Sequence, residues 1–305
     1  MGRGLTRLHR SVSGALALLL LAVNTVFWTG PLLLLQLFKV AYPGRRWRRF
    51  WSGLQNRVGA AWISFNNLTF TLTNPVRWDV RAPEGLAVDR WYLVIANHQS
   101  WVDILVLQTV FNGRVPFLKF FLKKELFWVP FLGLAWWTLD YPFLERSNRA
   151  GKDLEAIRQA SERFKLIPVS VMNFVEGTRF TVEKHHRQRS PYQHLLKPKA
   201  GGMVFLLSSM KEEVHSVLDV TIAYPGGAPS LWGFLSGGTE EIRVRVREIP
   251  VGDELKGDYR TDKAFRRRFT SWQRGIWAEK DQELASLLEE GSLGGPPSKT
   301  LPGGS

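Results

Sequence analysis

Trp91-Tyr92-Leu93-Val94-Ile95-Ala96-Asn97-His98-Gln99-Ser100-Trp101-Val102-Asp103 passes from a continuous apolar run into a polar turn and then into a helix start. An unbroken run of that length without polar alternation reads as a strand covered on both faces, the kind found inside parallel sheets. Ser100 then opens a helix reaching about Phe111. Outward from this core, 67–73 and 76–81 read as short strands around the Asn74-Pro75 turn. Strands at 139–144 and 166–174 flank a helix at 151–164. A helix at 199–210, strands at 217–224 and 241–249, and a charged helix at 261–290 complete the pattern. Strands alternating with helices imply an α/β domain with a mostly internal mixed sheet flanked by helices.

Ahead of this domain no residue from Ser11 to Phe38 is charged, a length sufficient to cross a bilayer. Gly30-Pro31 interrupts the run, so one spanning helix and a hairpin of two short helices in one leaflet are both open. Arg3, Arg7 and Arg10 precede it. Lys39, Arg45, Arg46, Arg48, Arg49 and Arg57 follow, which favours a hairpin or a span with its downstream side cytoplasmic. No small-x-small cleavage site lies before Trp28, which argues against a removed leader. The expected organisation is a membrane anchor with a basic flank over 1–58, a catalytic-sized domain over 59–290, and a disordered Gly/Pro/Ser tail over 291–305. Uncharged residues 126–137 are too few to span, and read either as core or as a patch facing lipid.

The chain of 305 residues carries 41 Lys+Arg against 27 Asp+Glu, a formal charge of +14, with 13 Trp. Such a surface seeks nucleic acid, anionic lipid or an acidic carrier, and the apolar N-terminus favours lipid over nucleic acid. The absence of cysteine removes disulfides, thiol nucleophiles and thiolate zinc sites.

Three polar groups lie at strand ends, where ligands bind in open α/β sheets. In the first, His98 and Asp103 would stand about 140° apart on a regular helix and could not meet. Contact requires His98 to precede the helix and Asp103 to sit in its first turn. A carboxylate holding the imidazole in one tautomer would leave the other nitrogen free to take a proton from an alcohol. Ser100 and Asp103 equally match a capping box, in which the carboxylate serves only the backbone. No nucleophile elbow surrounds Ser100, which reads as the cap. In the second group, Glu176-Gly177-Thr178-Arg179, Gly177 permits a tight turn and Arg179 can fork onto a phosphate. The third is Arg146, closing Phe143-Leu144-Glu145-Arg146. His185, His186 and His194 lie among Lys184, Arg187 and Arg189 and read as a solvated loop, with no metal implied.

Taken in order behind an apolar segment, the H-x-x-x-x-D box of His98 and Asp103, the arginine box ending at Arg146, and the E-G-T-R box of Glu176 to Arg179 resemble those of the 1-acyl-glycerol-3-phosphate acyltransferases. The strand ending Val220-Thr221-Ile222-Ala223-Tyr224-Pro225 resembles a looser fourth feature. The resemblance covers roughly 91–225. Val175 stands where the family commonly has proline, and Leu139-Asp140-Tyr141-Pro142 where it usually has a glycine. With the extended 180–194 segment, these departures are similar to a subgroup that includes a bacterial inner-membrane acyltransferase and lysocardiolipin-type enzymes. The resemblance implies His98 as general base, Asp103 as its orienter, and Arg146 and Arg179 on the acceptor phosphate. It implies Glu176 fixing Arg179 or a glycerol hydroxyl, with Gly177 and Thr178 in the substrate turn. It implies no cofactor, a lysophospholipid acceptor, an acyl-CoA or acyl-carrier-protein donor, and the cytoplasmic face of an inner membrane. Lys119, Lys123 and Lys124 are candidates for the donor contact or for a basic fringe at lipid. Lysophosphatidic acid is the first acceptor implied, and two rivals remain: transfer to another lysophospholipid such as a lysocardiolipin, and a membrane-tethered basic adaptor without catalysis, which would not need these groups at strand ends.

Overall fold

The structure, a computed structural model, describes residues 2–145, 150–259 and 261–290. Arg146 and the 291–305 tail lie outside the described residues. The chain begins with two long helices, α1 (Gly2–Ala41) and α2 (Arg45–Thr73). β1 (Arg77–Arg81), β2 (Trp91–Ala96), α3 (Val102–Phe111), β3 (Leu118–Phe120), β4 (Leu122–Lys123) and α4 (Leu132–Thr138) follow. Next come β5 (Phe143–Leu144), α5 (Ala150–Phe164), β6 (Ser170–Phe174), α6 (Val182–Gln188) and α7 (Ala200–Ser209). β7 (Val214–Ala223), α8 (Leu231–Leu235), β8 (Glu241–Pro250) and α9 (Lys263–Glu289) complete it.

A six-stranded sheet has the order β1-β8-β7-β2-β6-β3. β7, β2, β6 and β3 are mutually parallel, and β8 turns antiparallel against β7. The apolar run at 91–96 forms β2, near the centre of the sheet, with Tyr92 to Ala96 all buried. Its side chains divide between two cores. Tyr92, Val94 and Ala96 face α3 and β7's Val220 and Ile222, while Leu93 and Ile95 face α5, α7 and α9. Helices on both faces explain why this strand shows no polar alternation.

One sequence expectation fails here, and one alternative left open is decided, for a shared reason. Residues 67–73 alternate like a strand but form the last turns of α2. There Thr69, Thr71 and Thr73 donate their hydroxyls to the carbonyls four residues back, and Asn67 Oδ1 accepts from Thr109 at 2.8 Å. Phe70 packs edge-on against Phe234, with ring centroids 5.2 Å apart. Packing on α3 and α8 therefore outweighs a local β preference of a few tenths of a kcal/mol per residue. Likewise α1 continues through Pro31, and the chain reverses at Tyr42-Pro43-Gly44. A proline inside a helix costs about 3 kcal/mol, here offset by α2 and α4 packed along α1. The helix α2 passes position 58 without a break. At 139–144 only β5 is extended, paired with β4, and at 182–188 a helix replaces the expected loop.

The helical pair is tied to the domain by a buried polar network. Lys39 Nζ pairs with Asp140 at 2.5 Å and donates to Gln55 Oε1 at 3.0 Å, while Gln55 Nε2 donates to Gln36 Oε1 at 3.0 Å. Beside it Lys119 donates to Asn56 Oδ1 at 2.8 Å and to the Leu139 carbonyl. Burial lowers the Lys119 ammonium to about 7, against an opposing pull from Asp140. Lys119 is therefore a link between α2 and β3, with no reach to a donor.

Candidate active site

Three adjacent parallel strands, β7, β2 and β6, end side by side, and each delivers part of one site. After β2, Asn97 crosses to the neighbouring strand: its amide donates to the Ile222 carbonyl at 2.9 Å and accepts from Ile222 N–H at 2.9 Å. This pins the turn before the helix. His98 thus stands outside α3 and Asp103 inside its first turn, the arrangement that contact requires.

The two meet. His98 Nδ1 lies 2.8 Å from Asp103 Oδ2, which also accepts the backbone N–H groups of Gln99 at 2.6 Å and Ser100 at 2.9 Å. Asp103 Oδ1 accepts the Tyr224 hydroxyl at 2.6 Å. The carboxylate is wholly buried, so these bonds replace the water it has lost. Capping and orientation are not alternatives here, since one oxygen serves both. The His98 ring stacks on Phe174 with centroids 3.9 Å apart and remains partly open to solvent. With Nδ1 committed to Asp103, Nε2 is the nitrogen available for a proton. Ser100 is occupied as a cap: its hydroxyl donates to the Pro229 carbonyl and accepts Val102 N–H at 3.0 Å.

Glu176 does not touch Arg179 or an open surface. Its side chain is fully buried, with Oε1 accepting His98 N–H at 3.0 Å and Oε2 accepting Leu196 N–H at 3.1 Å. Burial pushes its carboxyl up to about 8 despite those two donors. With both oxygens turned to the backbone, it pins the His98 turn to the 190–199 strap and cannot reach a glycerol hydroxyl. Gly177 follows at φ +70°, where a side chain would be strained and would also press on Lys199. Thr178 accepts Lys184 Nζ at 2.9 Å. Arg179 is exposed, with its guanidinium 5.1 Å from the Trp101 ring centroid.

A cleft of about 480 Å³ opens at His98. Arg179, Lys123 and Lys199 lie on its rim, and Phe120, Leu122, Leu126, Ile157 and Leu206 are among its apolar walls. Lys124 instead pairs with Glu145 at 2.7 Å. Sequence reasoning missed Tyr224 as a site residue, although it had marked the strand end that carries it. Nothing in an apolar strand announces that its last hydroxyl will meet a carboxylate 121 residues away.

The fold is also that of a crystallised 1-acyl-sn-glycerophosphate acyltransferase, PlsC, from Thermotoga maritima. That structure superposes with a TM-score of 0.55 over 92% of this chain and 98% of its own, at 17% identity. The acyltransferase family model matches residues 77–224. Over those residues the chain is similar to the acyltransferase family. Its relatives include an uncharacterised acyltransferase of Schizosaccharomyces pombe, 26% identical across 70% of this chain and 64% of its own. 1-Acyl-sn-glycerol-3-phosphate acyltransferase 3 of Arabidopsis thaliana is 32% identical across 53% and 48%. The human gamma form is 29% identical across 53% and 46%. The chain therefore spans from about half to under two thirds of these relatives' lengths.

Replacing Asp103 by asparagine leaves one oxygen and one amide nitrogen for four donors. At least one of Gln99 N–H, Ser100 N–H or the Tyr224 hydroxyl must lose its acceptor. An unsatisfied buried donor costs about 1–3 kcal/mol, so the melting temperature of Asp103→Asn should fall measurably in thermal unfolding. A variant melting with the wild type would show that the carboxylate is not the anchor described.

Proposed function

We propose that this protein transfers a fatty acyl chain from an acyl thioester of coenzyme A or acyl-carrier protein to the free hydroxyl of lysophosphatidic acid, giving phosphatidic acid. The observation that carries the reading is the His98–Asp103 pair opening onto a cleft with apolar walls and a cationic rim. In this reaction His98 Nε2 takes the proton of the acceptor hydroxyl as its oxygen attacks the thioester carbonyl. The tetrahedral intermediate collapses by breaking the carbon–sulfur bond. The thiolate recovers that proton from the imidazolium, leaving an ester, a free thiol and His98 unchanged. Asp103 stabilises the imidazolium between the two transfers. Arg179 binds the acceptor phosphate, as does Arg146 by the resemblance stated above.

The same reading places the enzyme on one leaflet, in the bacterial case the cytoplasmic face of the inner membrane, where carrier thioesters are available. Residues Leu8–Ala41 are long and apolar enough to cross a membrane, with an 18-residue window of mean hydropathy 2.0. Yet α1 stays against the domain along its length. Gly14 packs on Ser236 and Trp232, Thr29 donates to the Phe131 carbonyl at 3.4 Å, and Lys39 pairs with Asp140. Gly14 to Lys39 covers about 38 Å of helix, more than the hydrocarbon core of a bilayer. A helix that perpendicular to the membrane would carry the domain into the lipid. Lying flat, it presents Leu16, Leu19, Val23, Phe27 and Phe38 to the acyl chains beside Trp128 and Phe131. Arg45, Arg46, Arg48 and Arg49 at the reversal suit anionic headgroups.

His98→Ala should lower acyl transfer by about 10²- to 10⁴-fold with the folded state intact, measured with both donor types against a panel of lysolipids. Activity within a few-fold of the wild type would exclude His98 as the base.

Arg179→Lys keeps the charge and loses the planar fork, so the acceptor's kcat/KM should drop about tenfold or more while the donor's KM stays unchanged. A change confined to the donor's KM would assign this arginine to the carrier.

Brominated acyl chains should quench the tryptophans of vesicle-bound protein, with less quenching in Trp128→Phe, and a single cysteine placed at position 8 should react with a membrane-impermeant reagent added on the side of the domain. Labelling only from the opposite side would mean that α1 spans.

A further inference from the structure

The helix α9 lies beyond the stretch matched by the family model, and its buried face is not simply apolar. Phe265, Phe269, Ile276, Leu284 and Leu287 fill the core, but Trp277 and Lys280 on the same stripe are fully buried with polar tasks. Trp277 Nε1 donates to the Leu196 carbonyl at 3.0 Å. Asp281, on the next turn, accepts Gln193 N–H at 2.6 Å and His194 N–H at 2.8 Å. The 190–199 strap is therefore held to α9 at two places. Lys280 Nζ pairs with Asp219 at 2.7 Å and donates to the Val220 carbonyl at 2.6 Å and to Thr221 Oγ1 at 3.2 Å. Glu283 accepts the Thr221 hydroxyl. Nearly two turns of helix thus grip both the strap and the end of β7.

Each gripped segment leads directly into the site. The Leu196 residue that receives Trp277 on its carbonyl gives its N–H to Glu176, and Glu176 receives the N–H of His98. The β7 segment held by Lys280 continues to Ile222, which fixes Asn97, and to Tyr224, which fixes Asp103. Apolar side chains of similar volume often match or exceed a buried ion pair in stability, so the place of Lys280 and Asp219 here points to geometry.

We propose that α9 is a positioning helix for the reaction, locating the His98 backbone through Trp277–Leu196–Glu176 and its ring through Lys280, β7 and Tyr224. It sets the turnover rate more than substrate affinity, because none of its clamping residues lines the cleft and the strap they hold reaches it only through Lys199 at the rim. Only the kinetic half of this inference rests on the acyl-transfer reading.

The test uses the full chain in detergent and the variant Trp277→Phe, which keeps an aromatic ring and removes the N–H. Amide hydrogen exchange should quicken about tenfold or more in peptides covering 97–100 and 195–199, with 118–120 unchanged. The turnover number should fall about tenfold with the KM of both substrates within twofold. Phe269→Leu is the comparison: it loses packing on the same helix and should lower the melting temperature, with kcat and exchange at 97–100 unaltered. If Trp277→Phe behaves like Phe269→Leu, α9 is core and the inference fails. If Trp277→Phe does not fold, Asp281→Asn loosens the same strap from its surface side, and the same two readouts decide. Wild-type protein that acylates no lysolipid would overturn the proposed function, while exchange at 97–100 would still decide the relay. An enzyme inactivated by His98→Ala but indifferent to Trp277→Phe would retain the function and lose the relay.

Discussion

The arrangement of this site depends on one buried carboxylate. Asp103 has no solvent exposure and accepts from His98, from two backbone N–H groups and from Tyr224. A carboxylate in that position is tolerated only when donors replace its hydration, since an uncompensated buried charge costs several kcal/mol. The requirement joins the turn after β2, the first turn of α3 and the end of β7. Folding the domain and orienting the imidazole are consequently the same event. It also explains why the site tolerates a partly open histidine: the nitrogen facing inward is fixed, and the outward one is left free.

A second carboxylate extends the constraint to β6. Glu176 spends both oxygens on backbone donors, one from the His98 turn and one from the strap before α7. Its value lies in joining two loops that approach from different parts of the chain, and the guanidinium three residues on is left exposed at the cleft rim. The E-G-T-R turn therefore divides into an inward-facing pin and an outward-facing cation. Gly177, at φ +70°, provides the change of direction between them.

The apolar hairpin and the polar domain meet through charge as well as packing. Lys39 and Asp140 form an ion pair where the two are joined, and Gln55, Gln36, Lys119 and Asn56 surround it. A chain whose outer helix is apolar along its free side needs such contacts to fix its register on the domain, because apolar packing alone tolerates sliding. The departure at Leu139-Asp140-Tyr141-Pro142 is accounted for by this pair. Asp140 adopts φ 57°, a conformation that aspartate tolerates better than most residues, and turns its carboxylate to Lys39.

The sequence by itself determined β2, the helices at 150–164, 200–209 and 263–289, and the order of polar boxes at strand ends. Those signals are local: an uninterrupted apolar run, a 3.6-residue repeat, and a turn placed where a strand must stop. It also limited how His98 and Asp103 could meet, because helix geometry admits few solutions over five residues. Only the tertiary structure decided that 67–73 is helical, that α1 continues past Pro31 and lies along the domain, and that Lys119 is buried. The same holds for Glu176 facing the backbone and Tyr224 joining Asp103. In each case the deciding partner is distant in the chain, such as Phe234 for Phe70, Leu196 for Glu176 and Asp103 for Tyr224. Local propensity is worth tenths of a kcal/mol per residue, whereas satisfying a buried polar group or filling a core is worth kilocalories, so distant partners prevail wherever the two conflict.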